Sequence, residues 1–317
     1  MSDLAFLFPG QGSQFAGMGK TLAGAYSEAR QVFEEADDAL GFKLSTMCFE
    51  GPEEDLKKTE NTQPALLTVS VAAFRVLASG NLVPDYVAGH SLGEYSALVA
   101  AGALAFRDAV QLVRKRGQFM QEAVPPGVGA MAALLKLPEG KLDGILAEAA
   151  QGEIVSAANF NSPDQVVIAG HAAAVGRAME LAKAAGAKRA VALPVSAPFH
   201  CALMKPAQER MAIEINAVPF ADLQIPLVNN WRASLTRTGP EAREALFEQI
   251  PNPVRWTDSI RYLAAKGVGR FVEVGPGAVL TGLLRNIDST LNCIRFGEAE
   301  DTAKLQSVSP ELREGLS

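Results

Sequence analysis

Apolar residues fall along this chain in two rhythms. Short continuous runs such as Leu4–Phe8 and Arg270–Val274 have the length of buried strands, while longer stretches repeat apolar positions every three or four residues, as helices do. Two of the runs end in glycine-rich turns. Leu4–Phe8 leads into Pro9-Gly10-Gln11-Gly12, and Pro84–Ala88 leads into Gly89-His90-Ser91-Leu92-Gly93. Helical periodicity covers Glu28–Leu40, Thr62–Ser79, Arg107–Ala123, Glu241–Gln249 and Asp258–Ala265, with another helix from about Ala278 and a strand at Pro226–Asn229. Thr62 is the expected cap of its helix, with Pro64 in the first turn. Strands alternating with helices imply a parallel sheet covered on both faces.

After Pro125-Pro126-Gly127 the pattern changes. Ala130–Leu137, Ile154–Phe160, Gln165–Ala169 and Lys188–Leu193 read as strands, and Leu142–Ala150 and Ala172–Ala185 as helices. That order, βαββαβ, is ferredoxin-like. The expected organisation is a large α/β domain of residues 1–126 and 196–317, interrupted by a small domain of residues 127–195. The tail after Gly297 is polar and is expected to be loosely held.

Gly89-His90-Ser91-Leu92-Gly93 carries the first chemistry. A Gly-x-Ser-x-Gly arises by composition in roughly one chain in ten of this length, so its setting matters more than the pattern. Here it lies between a strand and an amphipathic helix. There the glycines let the chain turn sharply, expose the serine hydroxyl and aim helix N–H groups at a reacting oxygen. The bland alternative is a tight turn with an N-cap serine.

A serine nucleophile needs a base, and the chain has three histidines, His90, His171 and His200. His200 ends the loop Pro194-Val195-Ser196-Ala197-Pro198-Phe199-His200, where Pro198 fixes the backbone, and it is the expected base. His90 adjoins Ser91 and points elsewhere; His171 starts a helix as a surface residue. Asp108, Asp143 and Asp164 lie between Ser91 and His200, but none follows a strand in a loop, so a neutral carbonyl is the alternative orienting group. Gly10-Gln11-Gly12-Ser13-Gln14 offers donors for half an oxyanion hole. Gly19-Lys20-Thr21 ends like a phosphate-binding loop, but its first glycine would have to be Gln14, which argues against nucleotide binding. Arg114-Lys115-Arg116 is either a solvated face or the holder of a carboxylate, and periodicity does not choose among the three.

Charge and composition remove several other classes. With 29 Lys and Arg against 35 Asp and Glu, the net charge is −6, and no basic tract suggests nucleic acid. Apolar stretches such as Ala97–Leu104 are too short to span a bilayer. Met1-Ser2-Asp3 has no basic leader, so a cytoplasmic protein is expected. Cys48, Cys201 and Cys293 are odd in number and far apart, as reduced thiols are, and no Cys/His spacing suits zinc.

Six motifs occur in one order: Gly10-Gln11-Gly12-Ser13-Gln14, Gly89-His90-Ser91-Leu92-Gly93-Glu94, Asn159-Phe160-Asn161-Ser162-Pro163, Ala197-Pro198-Phe199-His200, Asn252-Pro253-Val254-Arg255-Trp256 and Val274-Gly275-Pro276-Gly277. Together they resemble the malonyl-CoA:acyl carrier protein transacylases of fatty-acid synthesis, over nearly the whole chain. The resemblance implies a hydrolase-like α/β core with an inserted ferredoxin-like domain. It implies Ser91 as acylated nucleophile, His200 as its base, and Gln249 as the residue whose carbonyl orients His200. It further implies Gln11 and the Leu92 N–H as oxyanion donors, Arg116 as partner of the malonate carboxylate, and Phe199 as a limit on acyl size. Pro251 is a departure, standing where the family often has an aromatic or other residue. The expected substrates and partners are malonyl-CoA and the phosphopantetheine arm of acyl carrier protein. Coenzyme A enters as a thioester and no cofactor is bound; neither nucleic acid nor membrane is involved, and a monomer is expected.

Overall fold

A computed structural model describes residues 2–195 and 197–305. Ten strands form two sheets. In chain order they are β1 (Asp3–Phe8), β2 (Tyr86–Gly89), β3 (Gly129–Leu135), β4 (Val155–Ser162), β5 (Gln165–His171), β6 (Arg189–Ala192), β7 (Leu227–Val228), β8 (Leu235–Thr236), β9 (Val268–Val274) and β10 (Asn292–Phe296). The first sheet runs β10-β9-β1-β2-β7-β8. It is parallel except for β8, which turns back beside β7.

Period-two alternation places β1 between two cores. Leu4, Phe6 and Phe8 point into one with the Thr59–Ser79 and Phe106–Glu122 helices. Ala5 and Leu7 point into the other with the Trp256–Ala265 and Val279–Ile287 helices. This is the expected parallel sheet with both faces covered.

The second sheet, β4-β5-β3-β6, is antiparallel throughout and follows the ferredoxin-like βαββαβ order. One face carries the Leu142–Ala150 and Ala172–Ala184 helices on Ala132, Leu134 and Ile168. The other face, with Met131, Ala133, Val167 and Ala169, packs into the larger core. β4 is also tied to the 249–255 segment: Phe160 N–H donates to Val254 O (2.9 Å), and Val254 N–H donates to Ala158 O (2.9 Å).

Three local readings change. The helix expected from Thr62 begins at Thr59; Thr62 is inside it, and its hydroxyl donates to Leu56 O (2.5 Å) and Lys58 O (3.1 Å). The helix after the turn, expected from Ser91 onward, starts at Gly93. The tail after Gly297 is held as far as residue 305, because Asp301 accepts the Gly297 and Glu298 N–H groups (3.1 and 3.2 Å); its remainder lies outside the described residues, as does Ser196.

The two glycine-rich turns meet at the carboxyl ends of β1 and β2, where open α/β sheets place their ligands. The backbones touch there. A Cβ on Gly93 would lie 2.0 Å from Phe8 O, and one on Gly89 would lie 1.9 Å from Gly93 O. Gly93→Ala must therefore push the elbow off β1, and urea unfolding should show a loss of about 1–3 kcal/mol or more. An unchanged midpoint would mean that the approach is not needed.

Candidate active site

Ser91 sits at the turn with φ of 52°, in the left-handed region that a serine occupies only under constraint. Two side chains supply it. Asn230 Oδ1 accepts the Ser91 N–H (2.7 Å), and Gln249 Nε2 donates to Ser91 O (3.0 Å). Asn230 also donates from Nδ2 to Gly89 O (2.7 Å), so one amide spans the elbow.

His200 shares the left-handed conformation, with φ of 58°. Its Nε2 lies 2.7 Å from Ser91 Oγ, and its Nδ1 lies 2.9 Å from the backbone O of Gln249. A carbonyl only accepts, so Nδ1 carries the proton, and Nε2 is left with a lone pair facing the serine hydroxyl. Burial, then the charge of Arg116, pushes the His200 pKa down to about 3, so the imidazole is neutral. No carboxylate bonds to it among the described residues. Asp164 instead faces Lys136 at 3.6 Å. The other histidines are occupied elsewhere: His90 Nε2 meets Asn161 Oδ1 (2.8 Å), and His171 Nδ1 accepts the Ile154 N–H (2.9 Å).

The Phe106–Glu122 helix resolves the basic run. Arg114 bonds outward to Glu60 O (2.8 Å) and Lys115 to Glu214 (2.5 Å). Arg116 is only 1% exposed and points inward. It donates to Gln63 Oε1 (2.8 Å), Gln249 Oε1 (2.9 Å) and Ser91 Oγ (3.1 Å), and its guanidinium carbon lies 5.5 Å from the centre of the Tyr95 ring. Among the described residues no carboxylate pairs with it. A buried cation beside a serine–histidine pair, bonded only to neutral atoms, is arranged to receive an anion from the ligand.

The acyl transferase domain model matches residues 5–312. The chain belongs to the acyl transferase family. It is 52% identical over 299 residues to the malonyl CoA-acyl carrier protein transacylase of Escherichia coli K12, covering 94% of this chain and 97% of that one. The acyl carrier protein S-malonyltransferase of Vibrio cholerae superposes with a TM-score of 0.94 at 48% identity, covering 96% of this chain and all of that one. A malonyl-transacylase solved in complex with a type II PKS acyl-carrier protein gives 0.92 at 49% identity, covering 95% and 97%.

In this acyltransferase one cavity collects all but Gln249 of the site residues that the resemblance implies. Gln11, Ser91, Leu92, Arg116, Phe199 and His200 line it, with Met131 and Asn159 from the second sheet. Gln11 is exposed, with Nε2 3.4 Å from Thr59 Oγ1, and the Leu92 N–H has no acceptor among the described residues. Gln249 lies behind, fully buried, and touches Ser91, His200 and Arg116 at once. Sequence reasoning gave no role to Gln63, Glu94, Asn159, Asn161 or Asn230. Glu94, Asn159 and Asn161 stand within the quoted motifs; Gln63 and Asn230 carry no local signal. Among the described residues no three His, Cys, Asp or Glu groups converge as a metal site, and no helix is long and apolar enough to cross a membrane.

Proposed function

We propose that this acyltransferase moves a malonyl group from malonyl-CoA to the phosphopantetheine thiol of acyl carrier protein through a malonyl ester on Ser91, supplying the extender unit of fatty-acid synthesis. His200 Nε2 takes the Ser91 hydroxyl proton as Oγ attacks the thioester carbonyl. The tetrahedral oxyanion is received by Gln11 and the Leu92 N–H. The C–S bond breaks, and the coenzyme A thiolate leaves with the proton held on His200. The carrier's thiol then gives its proton to His200 and attacks the ester by the reverse route. Gln249 acts through its backbone carbonyl, keeping Nδ1 protonated and Nε2 free. The reaction needs no bound cofactor, since coenzyme A is the leaving group.

One observation carries the reading. Arg116 is buried 3.1 Å from Ser91 Oγ with only neutral partners. A malonyl carboxylate would supply the missing charge and accept two parallel hydrogen bonds. It would also offset the part of the His200 depression that Arg116 adds to burial, so the dicarboxylic substrate improves the base that acylates with it. Acetyl brings no charge and leaves the base weak. The names of the relatives agree, and a relative solved with its carrier protein supports an acyl carrier protein as acceptor. We take residues 127–195 as the small domain and the rest as the large one. We read the enzyme as a cytoplasmic monomer.

Intact mass after mixing with malonyl-CoA should rise by one malonyl unit, mapped to the peptide holding Ser91. Ser91→Ala should take up none, and His200→Ala should slow uptake by roughly 10²–10⁴-fold. A label on Cys201 would contradict the assignment; that thiol is 1% exposed, and burial pushes its pKa up to about 11.

Arg116→Ala should weaken malonyl transfer strongly and raise the acetyl-to-malonyl rate ratio. Arg116→Lys should also be poor, since an ammonium cannot replace the planar fork. A shift of acyl preference in Arg114→Ala instead would move the role to the other arginine.

Phe199, at the cavity wall beside the base, should crowd a methyl branch on the central carbon of malonate by about 1–3 kcal/mol. In a competition between equal concentrations of the two thioesters, Phe199→Ser should raise methylmalonyl over malonyl turnover. An unchanged ratio would mean that specificity is set elsewhere.

A further inference from the structure

Beneath the elbow lies a carboxylate that the mechanism above leaves idle. Glu94, in the first turn of the Gly93–Ala100 helix, is fully buried. Its Oε2 accepts two hydrogen bonds, from the Asn230 backbone N–H (2.9 Å) and from Gln249 Nε2 (2.9 Å). Its Oε1 is buried without a partner. An unused oxygen on a carboxylate at the bottom of an active site is costly, and an amide oxygen there would accept the same two hydrogen bonds without burying a charge.

Both of its partners lead to the reacting groups. Asn230 holds the Ser91 N–H and Gly89 O, which set the left-handed serine. Gln249 presents its backbone oxygen to His200 and its side-chain oxygen to Arg116. The Gln249 amide thus lies between an anion at its nitrogen and a cation at its oxygen. That polarity fixes which way the amide faces: a flipped amide would set oxygen against Glu94 and NH₂ against Arg116. Without the negative charge the amide keeps the arginine at its oxygen and the neutral oxygens of Ser91 (3.0 Å) and Asn230 (3.4 Å) at its nitrogen, and loses the one anion that faces it.

We propose that ionised Glu94 is the positioning residue of this site, holding nucleophile, base and arginine in register through Asn230 and Gln249. The proposal rests on the roles given above to Ser91 and His200. Protonation of Glu94 weakens both bonds at Oε2 and relaxes the Gln249 amide, so acylation is fast only while the carboxylate is charged.

The charges around Glu94 give the direction with pH. Burial raises its pKa to about 7, against the hydrogen bonds from Asn230 and Gln249 and the charge of Arg116 on the neighbouring helix. Arg116 is the charged group facing it. The Tyr95 hydroxyl, pushed up to about 12 by burial, stays neutral, and burial likewise keeps His90 and His200 uncharged. The His200 pKa of about 3 removes the base as the source of any acid limb near neutrality. The rate should therefore rise with pH through about 7, following ionisation of Glu94.

The test is the acylation rate of Ser91 between pH 5.5 and 8.5, at subsaturating malonyl-pantetheine, which has no phosphate to titrate. The wild-type rate should climb with a single midpoint near 7. Glu94→Gln, matched in volume, should lose the limb and run flat at roughly ten- to a hundredfold below the wild-type plateau. Glu94→Asp should keep the limb. A purely structural Glu94 would lower the rate equally at every pH and leave the limb in place in Glu94→Gln, which would overturn the proposal. The Asn230 amide resonance of ¹⁵N-labelled wild-type protein gives a reading independent of any variant's folding: it should titrate with the kinetic midpoint, and an Asn230 signal that does not move would also overturn it. Acylation persisting in Ser91→Ala would instead strike the reading of the nucleophile, so the two failures are distinct.

Discussion

The buried charge of Arg116 is the constraint on which the rest of the site depends. A guanidinium 1% exposed with no directly bonded anion costs free energy that folding must offset elsewhere. Gln63, Gln249 and Ser91 receive its N–H groups, and the Tyr95 ring packs against it. Glu94 stands one amide away, near enough to balance the field and too far to quench the cation. The arrangement tolerates the charge when the site is empty and favours a ligand that brings the opposite one. The same field adds to burial, the larger cause, in holding His200 in its neutral form, so the arginine proposed to read the substrate also bears on the strength of the base.

Strain is the second element. Ser91 and His200 both occupy left-handed backbone, which costs roughly 1–2 kcal/mol at a residue with a Cβ. Neither conformation would persist on a free loop. Ser91 is held by close backbone contact between the two glycine-rich turns and by the Asn230 and Gln249 amides. His200 is held by Gln249, whose segment is joined to β4 of the second sheet through Val254. The inner face of that sheet is therefore structural as well as lining: Met131 and Asn159 wall the cavity, while Asn161 fixes His90 beside Ser91.

Much of this was legible in the chain. β1, β9 and the large helices announce themselves because their buried faces are made of large apolar residues at regular spacing. The ferredoxin-like order followed from the same rhythm. The Lys205–Ala217 helix went unread because its buried positions, Ala207, Met211 and Ile215, are sparse and partly small. β10 was missed because an edge strand with a polar residue on each face, Asn292 and Arg295, carries a weak period. At the site, Ser91 and His200 are visible from local turn chemistry and a short histidine census. Arg116 could not be told from Arg114 by periodicity alone, and the inward turn of the helix decides between them. Gln63, Glu94 and Asn230 lie 28 residues before, 3 after and 139 after Ser91. What joins them is a tertiary hydrogen-bond network, and no local pattern encodes it.

The measurement that bears most directly on the account is a crystal structure of the enzyme trapped as its malonyl ester. The account places the ester on Ser91 Oγ and the free carboxylate on the Arg116 fork. It keeps Gln249 O on His200 Nδ1 and the Gln249 amide between Arg116 and Glu94. An ester on any other residue, or a carboxylate turned to solvent with Arg116 still bonded to Gln63 and Gln249, would contradict it.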